Sequence, residues 1–183
     1  MKKSVCKIFW PKYGTGFFCN LEINEDKIPV LITNYHIIDD EFVEKNNKLK
    51  FQLGNDKILR IINLNKNKKL YSSTIKEYDI MIIKIDKGDR IDNIEYLEID
   101  ETFLDDDLEL DYGDNSIYIL HYPCGDEIKV SYGRGFIKNE KNDFEIFINV
   151  KLIQALLAHR YLIYQQIKLL EYIKLMRKVY VII

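Results

Sequence analysis

Ten short runs of β-branched and aromatic residues, separated by turn signals, most constrain the fold that this chain can adopt. The runs cover residues 5–10, 16–23, 27–33, 49–53, 57–64, 80–85, 116–121, 127–130, 135–137 and 144–148. Asn, Asp and Gly, which favour turns, separate several of them, as at residues 24–26, 54–56, 65–67 and 111–114. Many short strands at this spacing predict an antiparallel all-β barrel or sandwich.

Length and composition limit the size of the hydrophobic core and the kinds of partner that we expect. A chain of 183 residues with 47% hydrophobic and 31% charged residues can bury one substantial core, or two small barrels in series. The formal net charge of -2 gives no basic footprint for nucleic acid and no cationic face for a membrane before the last thirty residues. We therefore expect neither partner, and the residue pattern indicates no cofactor and no metal site.

Cysteine usage bears on the compartment. Cys6, Cys19 and Cys124 cannot all pair with one another. The residues after Met1 form a strand-like run rather than an apolar signal segment. Because disulfides are rare under reducing conditions, these features favour a cytoplasmic setting.

Three segments carry residues that could do chemistry. The first is Gly14-Thr15-Gly16-Phe17-Phe18, and the second runs from Leu31 to Ile38 and contains Asn34-Tyr35-His36. In the third, Tyr78-Asp79 precedes the apolar run at residues 80–85. Two later segments, at residues 119–125 and 130–135, each place glycine beside strand-like residues.

Together these segments resemble a trypsin-like serine protease domain, over residues 5–148. The resemblance implies a two-barrel antiparallel chymotrypsin-like fold and a polypeptide substrate or protein partner. It further implies that His36 is the general base and that Asp79 orients it. The order of histidine before aspartate is that of chymotrypsin, and differs from the order in subtilisin or the α/β-hydrolases.

The nucleophile of this chemistry is missing from the sequence. Acyl transfer by such a triad needs a serine hydroxyl and backbone N–H groups aimed at the developing oxyanion, which a G-x-S-G loop supplies. Residues 125–183 contain no G-x-S-G, and their one serine, Ser131, opens a strand-like run. The chain therefore has a candidate base and its orienter but no nucleophile.

The last part of the chain has a different pattern. Residues 151–178 contain neither Gly nor Pro and place Leu and Ile mostly three to five residues apart, which predicts an α-helix. This segment is too rich in Lys, Arg and Glu to span a bilayer. We therefore predict a first barrel at 1–92, an incomplete second barrel at 93–149 and a helical tail at 150–183.

A change of reading frame would account for that tail. Back-translation of residues 154–161, read from the third base of each codon, permits G-S-S-G-S-P-I, which resembles the missing nucleophile loop. The same frame permits K-V-I-G-I-H at residues 167–173, similar to the strand that follows the catalytic serine. We expect that the chain leaves its ancestral frame near Asn149, through a frameshift in the gene or in the sequence.

Other candidate residues have simpler interpretations. Cys124 could be the nucleophile of a cysteine protease of the same fold, but Pro123-Cys124-Gly125 lacks the required G-x-C-G, and a thiol in a loop is favoured. Gly14 and Gly16 lack the helix start and Lys-Ser/Thr of a phosphate-binding loop. His121 precedes a turn, and His159 lies in the tail; neither receives a role.

Two functional hypotheses remain open. In the first, the chain is a serine endopeptidase domain that is inactive for lack of its nucleophile loop. In the second, it is a pseudoprotease that binds or regulates a protein, with the tail packed on the incomplete barrel or docked on a partner. Specificity and oligomeric state are not encoded in any recognisable motif.

Overall fold

A computed structural model describes residues 2–23, 26–45, 47–74, 79–98, 116–140 and 143–149. The acidic stretch at 101–114 and the predicted helical tail at 150–183 lie outside the described residues. The division into two barrels and a tail therefore stays a prediction.

A seven-stranded antiparallel sheet dominates the fold. Its strands are β1 (Val5–Trp10), β2 (Gly14–Ile23), β3 (Asp26–Thr33), β4 (Lys48–Leu53), β5 (Arg60–Asn63), β6 (Lys69–Ser73) and β7 (Ile80–Lys84). They pair in the order β5-β4-β1-β2-β3-β7-β6. The longest ladder joins β2 to β3 from Gly16 opposite Thr33 to Ile23 opposite Asp26.

A second antiparallel sheet has three strands in the order β10-β9-β8. These are β8 (Ser116–His121), β9 (Lys129–Glu140) and β10 (Asp143–Asn149). One short helix, α1 (Asp40–Glu44), follows β3. The prediction of an antiparallel, β-rich chain is confirmed by both sheets.

The structure departs from the sequence pattern at three places. The two runs predicted at 127–130 and 135–137 form the single strand β9, because Gly133 and Gly135 continue the ladder with β8 and β10 instead of breaking it. Strand β6 has no counterpart among the predicted runs. Helix α1, also not predicted, begins where the Asp39 side chain accepts a hydrogen bond from the Phe42 N–H at 2.8 Å.

The hydrophobic core lies inside the seven-stranded sheet. Strands β1, β4 and β5 alternate buried and more exposed positions, as expected when one face meets the core and the other meets water. The turn and helix after β3 close the core with Ile37, Ile38 and Val43. The other buried members of the cluster are Cys6, Ile8, Phe18, Leu31, Leu49, Phe51, Leu53, Ile62, Leu64, Met81, Ile83 and Ile85.

The segment after β8 is tied to the large sheet through Tyr122. Its backbone N–H donates to the Thr15 hydroxyl at 2.9 Å, and its own hydroxyl donates to the Gly54 carbonyl. Tyr122 and the adjacent His121 are 4% and 3% exposed. The N–H and the hydroxyl of Tyr122 are thus both satisfied where it packs against β2 and the residue that follows β4.

Gly16 offers a test of how tightly the large sheet is packed. A Cβ at this position would lie 2.9 Å from Leu31 Cδ1 and 3.1 Å from Cys6 Sγ, both in fully buried side chains. We expect Gly16→Ala to lower the free energy of unfolding by about 1–3 kcal/mol, because a packed core tolerates an added methyl group poorly. Urea unfolding measures this change.

Gly88→Ala is the matched control, since nothing lies within 4 Å of the Cβ position at Gly88. It should change the free energy of unfolding by less than about 0.5 kcal/mol. Equal stability of the two variants would show that β2 is packed more loosely than described.

Candidate active site

The turn after β3 carries His36. The N–H groups of Ile37 and Ile38 both donate to the Asn34 carbonyl, at 3.1 and 3.2 Å, which closes the turn directly behind Thr33. Ile37 and Ile38 are 6% and 0% exposed, so their burial holds the turn against the core. The His36 side chain, which is 38% exposed, consequently lies at the rim of the sheet.

The start of β2 is shaped to fit this turn. A Cβ at Gly14 would lie 2.8 Å from both Cδ1 and Cγ1 of Ile37. Only glycine allows the β2 backbone to approach Ile37 so closely. The glycine-rich segment predicted to lie in a strand thus begins β2, and it packs directly against the residue that follows His36.

Asp79 immediately precedes β7 and faces the His36 turn. Its backbone has a φ of 49°, in the left-handed region, which aspartate visits more readily than most residues. Its N–H donates to the Thr74 carbonyl at 2.8 Å. The residue is fully buried at 0% exposure.

The structure brings His36 and Asp79 into direct contact. Nδ1 of His36 lies 2.5 Å from Oδ2 of Asp79, and the backbone N–H of His36 donates to Oδ1 at 2.7 Å. A carboxylate accepts hydrogen bonds, so Nδ1 carries the proton and Nε2 is left to accept one. One aspartate therefore sets both the path of the backbone at His36 and the tautomer of its ring.

Asn34 and Tyr35 hold the other side of Asp79. The Asp79 carbonyl accepts the Tyr35 N–H at 3.0 Å and the Asn34 Nδ2 at 3.2 Å. Asn34 is 4% exposed. Sequence reasoning gave this asparagine no role, although it stands two residues before His36, and its contact fixes the backbone from which the carboxylate projects.

The two cysteines whose side chains are described are unsuited to act as nucleophiles. Cys6 and Cys19 are buried, and burial raises the pKa of both thiols well above its ordinary value. A thiol that stays protonated is a poor nucleophile. Cys124 lies in the 3₁₀ turn Pro123–Gly125, and its side chain is outside the described part of the chain.

The remaining predicted features are placed as follows. His121 ends β8 and is buried at 3% exposure, away from solvent. His159 and the predicted nucleophile region lie outside the described residues. Within the described ranges, no group of three or more His, Cys, Asp or Glu side chains is arranged to hold a metal ion.

Comparisons with known proteins leave the family open. No family model matches this chain, and no curated protein matches it. In the part of the chain that the structure describes, no helix combines the length and the apolar character needed to cross a membrane.

Proposed function

We propose that this chain is a trypsin-like serine endopeptidase domain that keeps its general base and orienter but lacks its nucleophile and oxyanion loop. His36 is the base and Asp79 orients it. The observation that carries the proposal is the contact of 2.5 Å between Nδ1 of His36 and Oδ2 of Asp79, in which a buried carboxylate meets a partly exposed imidazole.

The geometry of the pair supports this role in three ways. A hydrogen bond at Nδ1 leaves Nε2 as the basic atom, which is the atom that takes a proton from a nucleophilic hydroxyl. The carboxylate is shielded from water, which strengthens its interaction with a charged imidazolium. The imidazole is exposed enough for a substrate or a nucleophile to reach it.

The two-barrel form of the fold is part of the same proposal. The seven-stranded antiparallel sheet at residues 5–84 supports a first barrel that carries both His36 and Asp79. The three-stranded sheet at residues 116–149 supports a partial second barrel. The absent nucleophile would come from the part of that barrel encoded after residue 149 in the shifted frame.

The proposal predicts that this chain hydrolyses peptide bonds negligibly. Without a nucleophilic side chain, the histidine and carboxylate have no group that could accept the acyl group of a peptide substrate. We expect recombinant protein to release fluorescent fragments from labelled casein no faster than a buffer blank. Hydrolysis that disappears in His36→Ala would overturn the proposal, because it would require a nucleophile that the chain is said to lack.

A second candidate function is a pseudoprotease that binds a polypeptide without cleaving it. The observation that favours it is the pair of exposed aromatic side chains, Trp10 and Tyr13, close to the His36 turn; they are 55% and 62% exposed. Exposed aromatic residues often contribute to protein interfaces. Binding that survives in a chain without hydrolysis would distinguish this function from that of a merely inactive enzyme.

A further inference from the structure

Aromatic and basic side chains cluster at the tip of the β1–β2 hairpin, beside the His36 turn. We call this cluster the Trp10 surface, and it consists of Lys7, Phe9, Trp10, Lys12, Tyr13 and Lys50. Trp10 lies opposite Lys50 in the β1–β4 ladder. Outside residues 116–119 and 131–149, whose side chains are not described, the other large hydrophobic side chains exposed in the described part of the chain are aliphatic.

Contacts inside the Trp10 surface join it into one patch. The Lys7 Nζ lies 5.0 Å from the centroid of the Phe9 ring and 5.9 Å from that of Tyr13. The two rings pack edge to face with their centroids 6.1 Å apart. These are the distances of cation–π and aromatic pairs, which hold the rings in place while leaving Tyr13 open to solvent.

The patch is continuous with the candidate active site. Lys12 Nζ donates to the His36 carbonyl at 2.7 Å, and Gly14 of the same hairpin packs on Ile37. On the other side, the Tyr13 ring abuts the backbone of Gly125. The Trp10 surface therefore borders the turn that carries His36.

The lysines of the Trp10 surface belong to the described lysines that form no ion pair, as do Lys48, Lys57 and Lys66. Lys27, Lys45 and Lys69 each pair with a carboxylate. Within the described ranges, Lys7, Lys12 and Lys50 have no carboxylate within ion-pair distance. These lysines have no counter-charge among the described residues, and they lie beside exposed aromatic rings. Such a surface is complementary to a partner that carries acidic groups next to an aromatic or apolar side chain.

We propose that the Trp10 surface binds an acidic segment of a polypeptide, with an aromatic or apolar side chain of that segment against Trp10 and Tyr13. The role of this segment as substrate or regulator of the His36 site rests on the proposed function, whereas its binding does not. A nucleic acid would be a different partner, and the net charge of -2 over the whole chain argues against it. The basic charge is local to one hairpin.

Trp10 itself provides the measurement, because it is the single tryptophan of the chain. The full-length protein is titrated with a peptide of repeated Glu-Glu-Phe-Gly units while tryptophan emission is followed. We expect a saturable change in emission whose apparent Kd rises with salt. A Lys-Lys-Phe-Gly peptide of the same length should produce no such change.

Charge variants test the residues. We expect the double variant Lys7→Gln/Lys12→Gln to weaken binding of the acidic peptide about ten-fold, since exposed charge pairs contribute modestly but add up. Lys66→Gln is the matched control, because Lys66 is an exposed lysine in the turn between β5 and β6. Its Kd should equal that of the unmodified protein.

Three results would overturn the inference: no change in Trp10 emission, equal weakening in both charge variants, or tighter binding of oligothymidylate than of the acidic peptide. Each is separate from the fate of the proposed function. Binding is measured without hydrolysis, and the casein assay is performed without the peptide.

Discussion

Protein translated in the shifted frame from codon 149 onward should hydrolyse labelled casein, whereas the chain described here should not. The shifted frame permits G-S-S-G-S-P-I, and on the proposed function this loop would supply a nucleophile and oxyanion donors to the existing His36–Asp79 pair. Its activity should fall by about 10⁴-fold or more on His36→Ala, because the nucleophile and its base act as one unit. The measurement is kcat/KM on a peptide substrate.

A covalent label distinguishes restored chemistry from contamination. A fluorophosphonate probe should modify the shifted protein stoichiometrically and leave the present chain unmodified, since only an activated serine reacts. The His36→Ala form of the shifted protein should fold with a lower thermal midpoint, because the buried Asp79 Oδ2 loses its hydrogen-bond partner, and it should label far more slowly. A folded, shifted protein that neither cleaves casein nor reacts with the probe would refute the frameshift and the ancestry together.

Replacement of Asp79 should produce the largest loss of stability of any exchange considered for this chain. Asp79→Ala removes the acceptor of both the His36 N–H and Nδ1, and it places alanine at a φ of 49°. We expect the free energy of unfolding to fall by about 3–5 kcal/mol, from lost charge-assisted hydrogen bonds and left-handed backbone strain. Urea unfolding measures this loss.

Two further variants separate those causes. Asn93→Ala is the matched backbone control, because Asn93 is exposed and has a φ of 64°. Asn93→Ala should lower the free energy of unfolding by only about 1–2 kcal/mol. Asparagine tolerates the left-handed backbone at residue 79 and keeps one acceptor oxygen. We therefore expect Asp79→Asn to lower the free energy of unfolding by about 1–3 kcal/mol. It should also move the His36 ring proton from Nδ1 to Nε2, as read from ¹⁵N chemical shifts. An Asp79→Ala protein as stable as Asn93→Ala would contradict the structural role of the carboxylate.

Local chemistry explains why much of the large sheet could be predicted. The alternation in β1 and β4 is a short-range signal. The turn residues at 24–26 and 54–56 are short-range signals too, and they lie close to the observed ends of β2, β3 and β4. Strand β6 carries no such signal, because its sequence KLYSS mixes polar and apolar residues without a buried run. It forms because its backbone pairs with the edge of β7 that faces away from β3. That is a tertiary cause.

The candidate site divides in the same way. The contact between His36 and Asp79 is predictable only through the resemblance to a known family, because their separation in sequence carries no spatial information by itself. The hydrogen bond from the His36 backbone to Oδ1, the left-handed φ of Asp79 and the contact of Asn34 need coordinates. The Trp10 surface likewise arises from strand pairing that brings Lys50 opposite Trp10.

The two-point attachment of Asp79 to residue 36 has an evolutionary consequence. Because one carboxylate fixes a main-chain amide as well as a ring, purifying selection for a foldable chain would preserve the aspartate even in the absence of catalysis. The presence of both His36 and Asp79 in related chains would thus be no evidence of catalytic activity. Decay should first become visible at the imidazole, where a substitution leaves the amide anchor intact.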